Sequence, residues 1–251
     1  MTQIPNQERK TIVLTGASRG IGHATVKRFS SAGWRVISCS RQAFPEDCPW
    51  EMGEDDHIQM DLADPDSTQT GIDLIRERLK AQGSRLNALV NNAAISPKLD
   101  AGARMNTFDT KQSDWMHVFQ VNFFGPILLA RGLVEELKTA KGSVVNITSI
   151  AGTAVHPFAG AAYSTSKAAL ASLTREMAND FGPLGVRVNS ISPGEIETSI
   201  LSPGTEQIIP DIPLRRLGQP EEVAKAIYFL CSDASSYVTG TELHVNGGQH
   251  V

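Results

Sequence analysis

Thr11-Ile12-Val13-Leu14-Thr15-Gly16-Ala17-Ser18-Arg19-Gly20-Ile21-Gly22 is the stretch on which the fold turns. An apolar, β-branched run of strand length enters a glycine-rich turn, and the turn opens directly onto a segment of helical period over residues 20–32. Glycine at 16, 20 and 22 permits a tight turn and close approach of backbone to a ligand. The first turn of the following helix offers free N–H groups and partial positive charge. That combination suits a pyrophosphate. The spacing is GxxxGxG and not GxGxxG, so the commoner dinucleotide fingerprint does not match, and any strand-to-helix turn has a use for glycine. The rest of the chain has to decide.

Outward from this turn, short β-branched runs alternate with longer helical patterns. Strands are expected at 11–15, 35–39, 57–60, 88–90, 143–148, 187–191 and 242–245. Helices are expected at 20–32, 65–81, 113–137, 161–181 and 220–231. Such alternation predicts an α/β fold: a doubly wound, seven-stranded parallel sheet with helices on both faces. Asp64-Pro65 supplies a capping oxygen and a proline at the first helical position, and Gly33, Gly83, Gly142 and Gly182 mark helix ends. The whole chain, 1–251, reads as one domain with a flexible tail over 1–10. Two segments resist regular assignment, 42–56 and 197–219; the second carries Pro203, Pro210 and Pro213 and is expected to form a substrate loop.

The chain has 251 residues, 41% of them apolar and 20% charged, which suffices for one large core. Its net charge of −4 comes with scattered Lys and Arg, which excludes nucleic acid and anionic membranes as main partners and leaves a small molecule. Cys39, Cys48 and Cys231 are odd in number and have no CxxC spacing; with the histidines they suggest neither a disulfide framework nor a metal site. No stretch approaches the roughly 18 apolar residues of a membrane span, and Met1 to Lys10 lacks a signal-like apolar run. The expected location is the reducing cytoplasm.

Chemistry concentrates on Tyr163-Ser164-Thr165-Ser166-Lys167. A separation of four puts the phenol and the ammonium on one helix face. A free phenol has a pKa of about 10, and a neighbouring cation favours the phenolate, bringing it toward working pH. Upstream, Asn146-Ile147-Thr148-Ser149 ends a strand at the sheet edge where ligands bind, so Ser149 is placed to hydrogen-bond a carbonyl or hydroxyl. Taken alone, a YxxxK helix is an ordinary amphipathic surface; with Ser149 and the glycine turn it is a constellation.

This set resembles the short-chain dehydrogenase/reductase family over nearly the whole chain, which implies a single-domain Rossmann-like fold. Carried over residue by residue, the resemblance makes Tyr163 the general acid/base. Lys167 becomes the residue that binds the nicotinamide ribose and lowers the tyrosine pKa, Ser149 the residue that orients substrate, and Asn122 the asparagine whose bent helix holds a water for proton relay. Gly16, Ser18, Arg19, Gly20, Ile21 and Gly22 become the pyrophosphate turn. Asn91-Asn92-Ala93-Ala94 resembles the family's NNAG stretch, with Asn91 and Ala93 as cofactor contacts and Ala94 in place of the usual glycine. Asp61 and Leu62 resemble the adenine-contacting pair. Pro193-Gly194-Glu195-Ile196-Glu197-Thr198 resembles PGxxxT, placing Pro193, Gly194, Ile196 and Thr198 near the nicotinamide. Tyr163 follows Ser149 by fourteen positions, one more than in many relatives, which puts the pocket wall over 156–162 in question.

The second strand ends Ser40-Arg41 with no acidic residue. An acid there accepts from a ribose 2′-hydroxyl, whereas arginine suits a 2′-phosphate. With Arg19 nearby, NADP(H) is favoured over NAD(H). The implied reaction is hydride transfer between this cofactor and a small carbonyl or alcohol substrate. Candidate substrate contacts are Ser149, Ala151, His156, Tyr163 and Glu195, with Ser96, Phe158 and the 200–216 loop around them. His156 reads most simply as a capped loop residue and Glu195 as a solvated one. Rival readings are an NAD(P)-binding epimerase or isomerase, distinguished by slow release of oxidised cofactor, and a regulatory dinucleotide binder, which has no need of the phenol. The resemblance also implies a homotetramer, or a homodimer, through the helices at 113–137 and 161–181.

Overall fold

The computed structural model describes residues 9–43, 56–99, 102–198, 201 and 204–251. Strands β1 (Thr11–Thr15), β2 (Arg35–Ser40), β3 (His57–Gln59), β4 (Leu86–Asn91), β5 (Ser143–Ile147), β6 (Arg187–Pro193) and β7 (Glu242–Val245) form one sheet. Their order is β3-β2-β1-β4-β5-β6-β7 and every pairing is parallel. The order reverses direction on either side of β1, which opens a crevice between β1 and β4 at their carboxyl ends.

Side-chain alternation along the strands divides the core in two. Val13, Ile37, Leu89, Val144 and Val188 face one side, against Ile72 and Ile75 of α2 (Pro65–Ala81), Leu129 of α4 (Gly125–Gly132) and Met177 of α6 (Ala161–Phe181). Ile12, Leu14, Val36, Val90, Val145 and Ile191 face the other, against α1 (Gly20–Ser31) and α7 (Pro220–Cys231). Both faces are covered, so apolar side chains point to both sides of the central strands rather than to one. Phe29 of α1 is fully buried and its ring lies 5.1 Å from Trp34 and 5.2 Å from Tyr228, edge-on to both. A truncation there costs about 3–5 kcal/mol.

Local signals explain the helix ends. Asp64 caps α2 by accepting from the Asp66 N–H, with Pro65 at the first position. Gln219 and Glu222 form a reciprocal capping box at α7, and Arg216 pairs with the same glutamate at 2.7 Å.

The expected single helix over 113–137 is instead broken. It runs as α3 (Gln112–Phe119), a π-helical turn (Gln120–Phe124), α4 and α5 (Val134–Ala140). Pro126 has no N–H, so the Asn122 carbonyl loses its α-helical donor, and the chain takes up the wider turn, with Gly125 N–H bonding to Gln120. A second break falls at Leu133, whose backbone leaves the helical region. No single described helix is long and apolar enough to cross a membrane. The pair Gln112–Gly132 and Val134–Ala140 has the length and composition but bends by 58°, and its Leu129 and Leu137 are buried in the core. At the start of the chain, Arg9 donates to the Gly33 and Trp34 carbonyls and Lys10 pairs with Asp233, so the last two residues of the expected tail are tied down. The other eight, and most of the 42–56 segment, lie outside the described residues.

Candidate active site

A crevice of about 630 Å³ lies along the carboxyl edge of the sheet. Its floor at one end is the glycine turn. Gly16 and Gly20 have φ of 70° and 54°, in the left-handed region that side chains disfavour. A β-carbon on Gly22 would fall inside the Gly16 carbonyl oxygen, so the turn closes only without one. Helix α1 has no side-chain cap and no acidic residue in its first turn, which leaves its N–H groups for an anion. Ser18, Arg19 and Ile21 line the same end.

Asn92 holds this turn in place, a role the sequence reading gave to no residue. Its amide donates to the carbonyls of Thr15 (3.1 Å) and Gly16 (3.0 Å), while Thr15 Oγ1 accepts from the N–H groups of Asn92 and Ala93, both at 3.0 Å. Ala93 lines the crevice as expected. Asn91 does not: strand alternation turns it into the sheet, where Nδ2 donates to Asn146 at 2.8 Å, and Asn146 donates in turn to Thr174. The expected cofactor contact at Asn91 is therefore corrected to a buried cross-strand amide, with Asn92 beside the ligand space.

Farther along, Ser40, Arg41, Asp61 and Leu62 form the outer wall. Ser40 Oγ donates to the Gln42 carbonyl at 3.0 Å, and Asp61 Oδ1 accepts from Ala63 N–H at 2.9 Å. Arg41 is exposed. These positions fit a dinucleotide: a turn that only glycine can close, an uncapped helix end and an arginine at the end of β2.

At the opposite end stand the candidate catalytic groups. Ser149 follows β5 and caps a short turn, its Oγ accepting from Ala151 N–H at 3.2 Å. Tyr163 and Lys167 sit one turn apart at the start of α6, and Tyr163 lines the same crevice as Ser149. Lys167 Nζ lies 5.7 Å from the centre of the Tyr163 ring and donates to the Ile147 carbonyl at 2.7 Å. Asn122 does not line the crevice. Its side chain accepts from Ile95 N–H, donates to the Ile95 carbonyl at 3.0 Å and donates to Ser166 Oγ at 3.0 Å, joining the π-turn, the loop after β4 and α6.

The electrostatics differ from expectation. Burial pushes the Tyr163 phenol above its ordinary value, the Ser149 hydrogen bond pulls it down, and the Glu195 charge pushes it up again. Lys167, expected to lower the tyrosine, is not among the causes. It is buried, and burial brings its own pKa down to about 7, so it holds only a fraction of a charge at neutral pH.

Between the two ends, the segment after β6 closes over the turn. Pro193, Gly194, Ile196 and Thr198 all line the crevice, and a β-carbon on Gly20 would approach Thr198 Cγ2 to 3.1 Å. Ile196 bridges to Gly218. Ala151, Ser96 and Phe158 line the substrate end as expected. Glu195 is not solvated but 9% exposed, and its Oε1 lies 2.7 Å from His156 Nε2. His156 Nδ1 accepts from Phe158 N–H at 3.3 Å, within the connection between Ser149 and Tyr163. Lys98, which sequence reasoning missed, donates to the Phe158 carbonyl from across the crevice. From the 197–219 loop, Thr198, Leu201 and Thr205 reach the crevice, and residues 205–211 form a 3₁₀ turn; Ile200 lies outside the described residues. No group of three His, Cys, Asp or Glu side chains suited to a metal occurs among the described residues.

Fold and crevice together define a dinucleotide-binding oxidoreductase. A family model described as Enoyl-(Acyl carrier protein) reductase matches residues 16–250. The chain is 59% identical over 251 residues to Protein FixR of Bradyrhizobium diazoefficiens, covering 99% of this chain and 90% of that one. It is 34% identical to the 3-oxoacyl-[acyl-carrier-protein] reductase FabG of Aquifex aeolicus, over 95% of this chain and 96% of the relative. Among solved structures, an oxidoreductase of the short-chain dehydrogenase/reductase family from Brucella ovis, in complex with a partially ordered NAD, is 62% identical. It covers 95% of this chain and 100% of its own, with a TM-score of 0.84. This chain belongs to the short-chain dehydrogenase/reductase family, whose members are NAD(P)-dependent enzymes acting on C=O and CH–OH groups.

Proposed function

We propose that the chain catalyses the reversible reduction of a ketone or aldehyde to an alcohol with NADP(H), using Ser149, Tyr163, Lys167 and Asn122. The observation that carries this reading is that Ser149, Tyr163 and Lys167, the last 5.7 Å from the Tyr163 ring centre and one helical turn away, all line the crevice that the glycine turn opens. A bound nicotinamide supplies the hydride. Tyr163, kept protonated by burial, donates its phenolic proton to the carbonyl oxygen, and in oxidation the same oxygen takes the proton back. Ser149 Oγ–H shares the developing alkoxide charge, an interaction stronger in the transition state than with the neutral carbonyl. Lys167, titrating near neutrality, is suited to hand protons toward the Tyr163 side. Asn122 holds the start of α6 through Ser166 and the loop after β4 through Ile95.

Preference for the 2′-phosphate rests on Arg41, exposed and without a side-chain partner among the described residues, on Arg19 and on the missing acid at the end of β2. The Brucella ovis relative was solved with NAD, which makes this the first point to test. A homotetramer or homodimer through α3–α5 and α6 is supported by Met116 and Phe124, which α3 and the π-turn leave 66% and 47% exposed. A reducing cytoplasm is supported by Cys39 and Cys231, both buried as free thiols with pKa pushed up to about 12.

The test is calorimetric titration of the purified protein with NADPH and NADH, followed by a carbonyl panel with the tighter binder. NADPH is expected to bind about tenfold more tightly or better. Equal affinities remove the 2′-phosphate argument. Binding without turnover of any carbonyl or alcohol removes the catalytic one.

A further inference from the structure

We propose that Glu195, backed by His156 and faced by Lys98, is the substrate-recognition pole of the crevice, and that the substrate carries a hydrogen-bond-donating hydroxyl or ammonium group beside its reacting carbon. This rests on the carbonyl-reductase reading above.

A carboxylate taken out of water is costly unless its lone pairs are met. Glu195 is nine-tenths buried, yet its oxygens are poorly served. Phe158 N–H donates to His156 Nδ1 at 3.3 Å, which orients the ring with Nε2 toward Glu195. Nε2 lies 2.7 Å from Oε1 without completing an aligned hydrogen bond. Oε2 has no protein donor among the described residues.

Nor is the side chain free to swing into solvent. Glu195 N–H donates to Gln249 Oε1 at 3.0 Å, and its carbonyl accepts from Gly218 N–H at 2.8 Å, so the backbone is fixed on both sides. The cation that feels this charge is Lys98. Its ammonium is anchored to the Phe158 carbonyl, the same residue whose N–H fixes His156, and it makes no salt bridge with Glu195. One residue thus holds an imidazole against the carboxylate and keeps an ammonium away from it. An acceptor and a donor are left facing the same space.

That space adjoins the reacting groups, because Lys98, His156 and Glu195 line the same crevice as Ser149 and Tyr163. A ligand hydroxyl or ammonium there meets the open carboxylate oxygen, and an adjacent oxygen on the ligand meets Lys98. An unsubstituted acyl chain would bury the carboxylate with its oxygen still unpaired, which sites of this kind reject strongly.

The experiment compares size-matched ketones with wild-type enzyme and its preferred cofactor: acetone against hydroxyacetone and aminoacetone, with acetoacetyl-CoA as the acyl representative. Wild type is expected to favour the hydroxyl or amino member over acetone at least tenfold in kcat/KM, and whichever arm shows the preference identifies the donor. Glu195→Leu is expected to remove that preference, chiefly through KM. Glu195→Gln, which keeps shape and one acceptor, should lose the ammonium arm more than the hydroxyl arm, and it carries the test if the leucine variant fails to fold. A wild-type preference for acetone or acetoacetyl-CoA, or a preference that survives Glu195→Leu, overturns this proposal and leaves the reductase reading standing. Cofactor binding with no turnover of any of the four overturns both.

Discussion

The two ends of the crevice are built from different materials. At the glycine-turn end the determining features are backbone: Gly16 and Gly20 in left-handed conformations, Gly22 without a β-carbon, and an uncapped helix start. At the substrate end they are side chains brought together from distant segments: Lys98 after β4, His156 before α6 and Glu195 after β6. A backbone site demands glycine at fixed local spacing, so it is written in a few adjacent residues. A side-chain site is an alignment of three loops and is written nowhere in particular.

Substitutions at the two ends should therefore fail in different ways. Lys167→Met, beside the reacting groups, is expected to lower kcat about 10³-fold in steady-state assays. The same variant tests the burial argument through stability. Folding holds the Lys167 pKa at about 7 against an ordinary 10.5, so between those values the unfolded chain binds the extra proton and wild-type stability rises with pH. Melting curves of the cofactor-free proteins should show wild type gaining on Lys167→Met from pH 7 to pH 10; parallel curves would mean that the ammonium is not desolvated.

Ser149→Ala should cost about 10²-fold in kcat with little change in cofactor affinity, since it removes a donor aimed at the developing oxyanion. Gly22→Ala belongs to the other end. It drives a methyl group into the Gly16 carbonyl, with an expected loss of about 1–3 kcal/mol in denaturant unfolding and weakened binding of both coenzymes alike. The smallest effect is expected from Arg41→Ala: about tenfold weaker NADPH, NADH nearly unchanged. An equal loss for both would make Arg41 a solvated surface residue and sharpen the division, leaving the nucleotide end wholly to backbone.

Much of the fold was legible because each signal was local. The β-branched runs, Asp64-Pro65 and the glycine turn each settle a structure within a few residues, and all seven expected strands are present within a few residues of their expected ends. The long helix over 113–137 was misread because helical period persists across Pro126 while the backbone widens beneath it. Asn91 and Asn92 show the limit of motif reading: adjacent, identical residues point to opposite sides of a strand, and only register tells which one meets the turn. Glu195 read as solvated because no nearby residue announces its burial; His156 and the Gln249 that fixes its backbone lie 39 and 54 positions away.

The central claim is that the Tyr163 phenol is the proton-transferring group of a crevice whose nucleotide end works without it. Tyr163→Phe, which keeps the ring and removes one oxygen, separates the two in a single preparation when NADPH titration and carbonyl turnover are measured side by side. The expected result is cofactor affinity within about twofold of wild type and turnover lower by roughly 10³-fold. Turnover that persists, or cofactor binding that falls with it, would contradict the assignment.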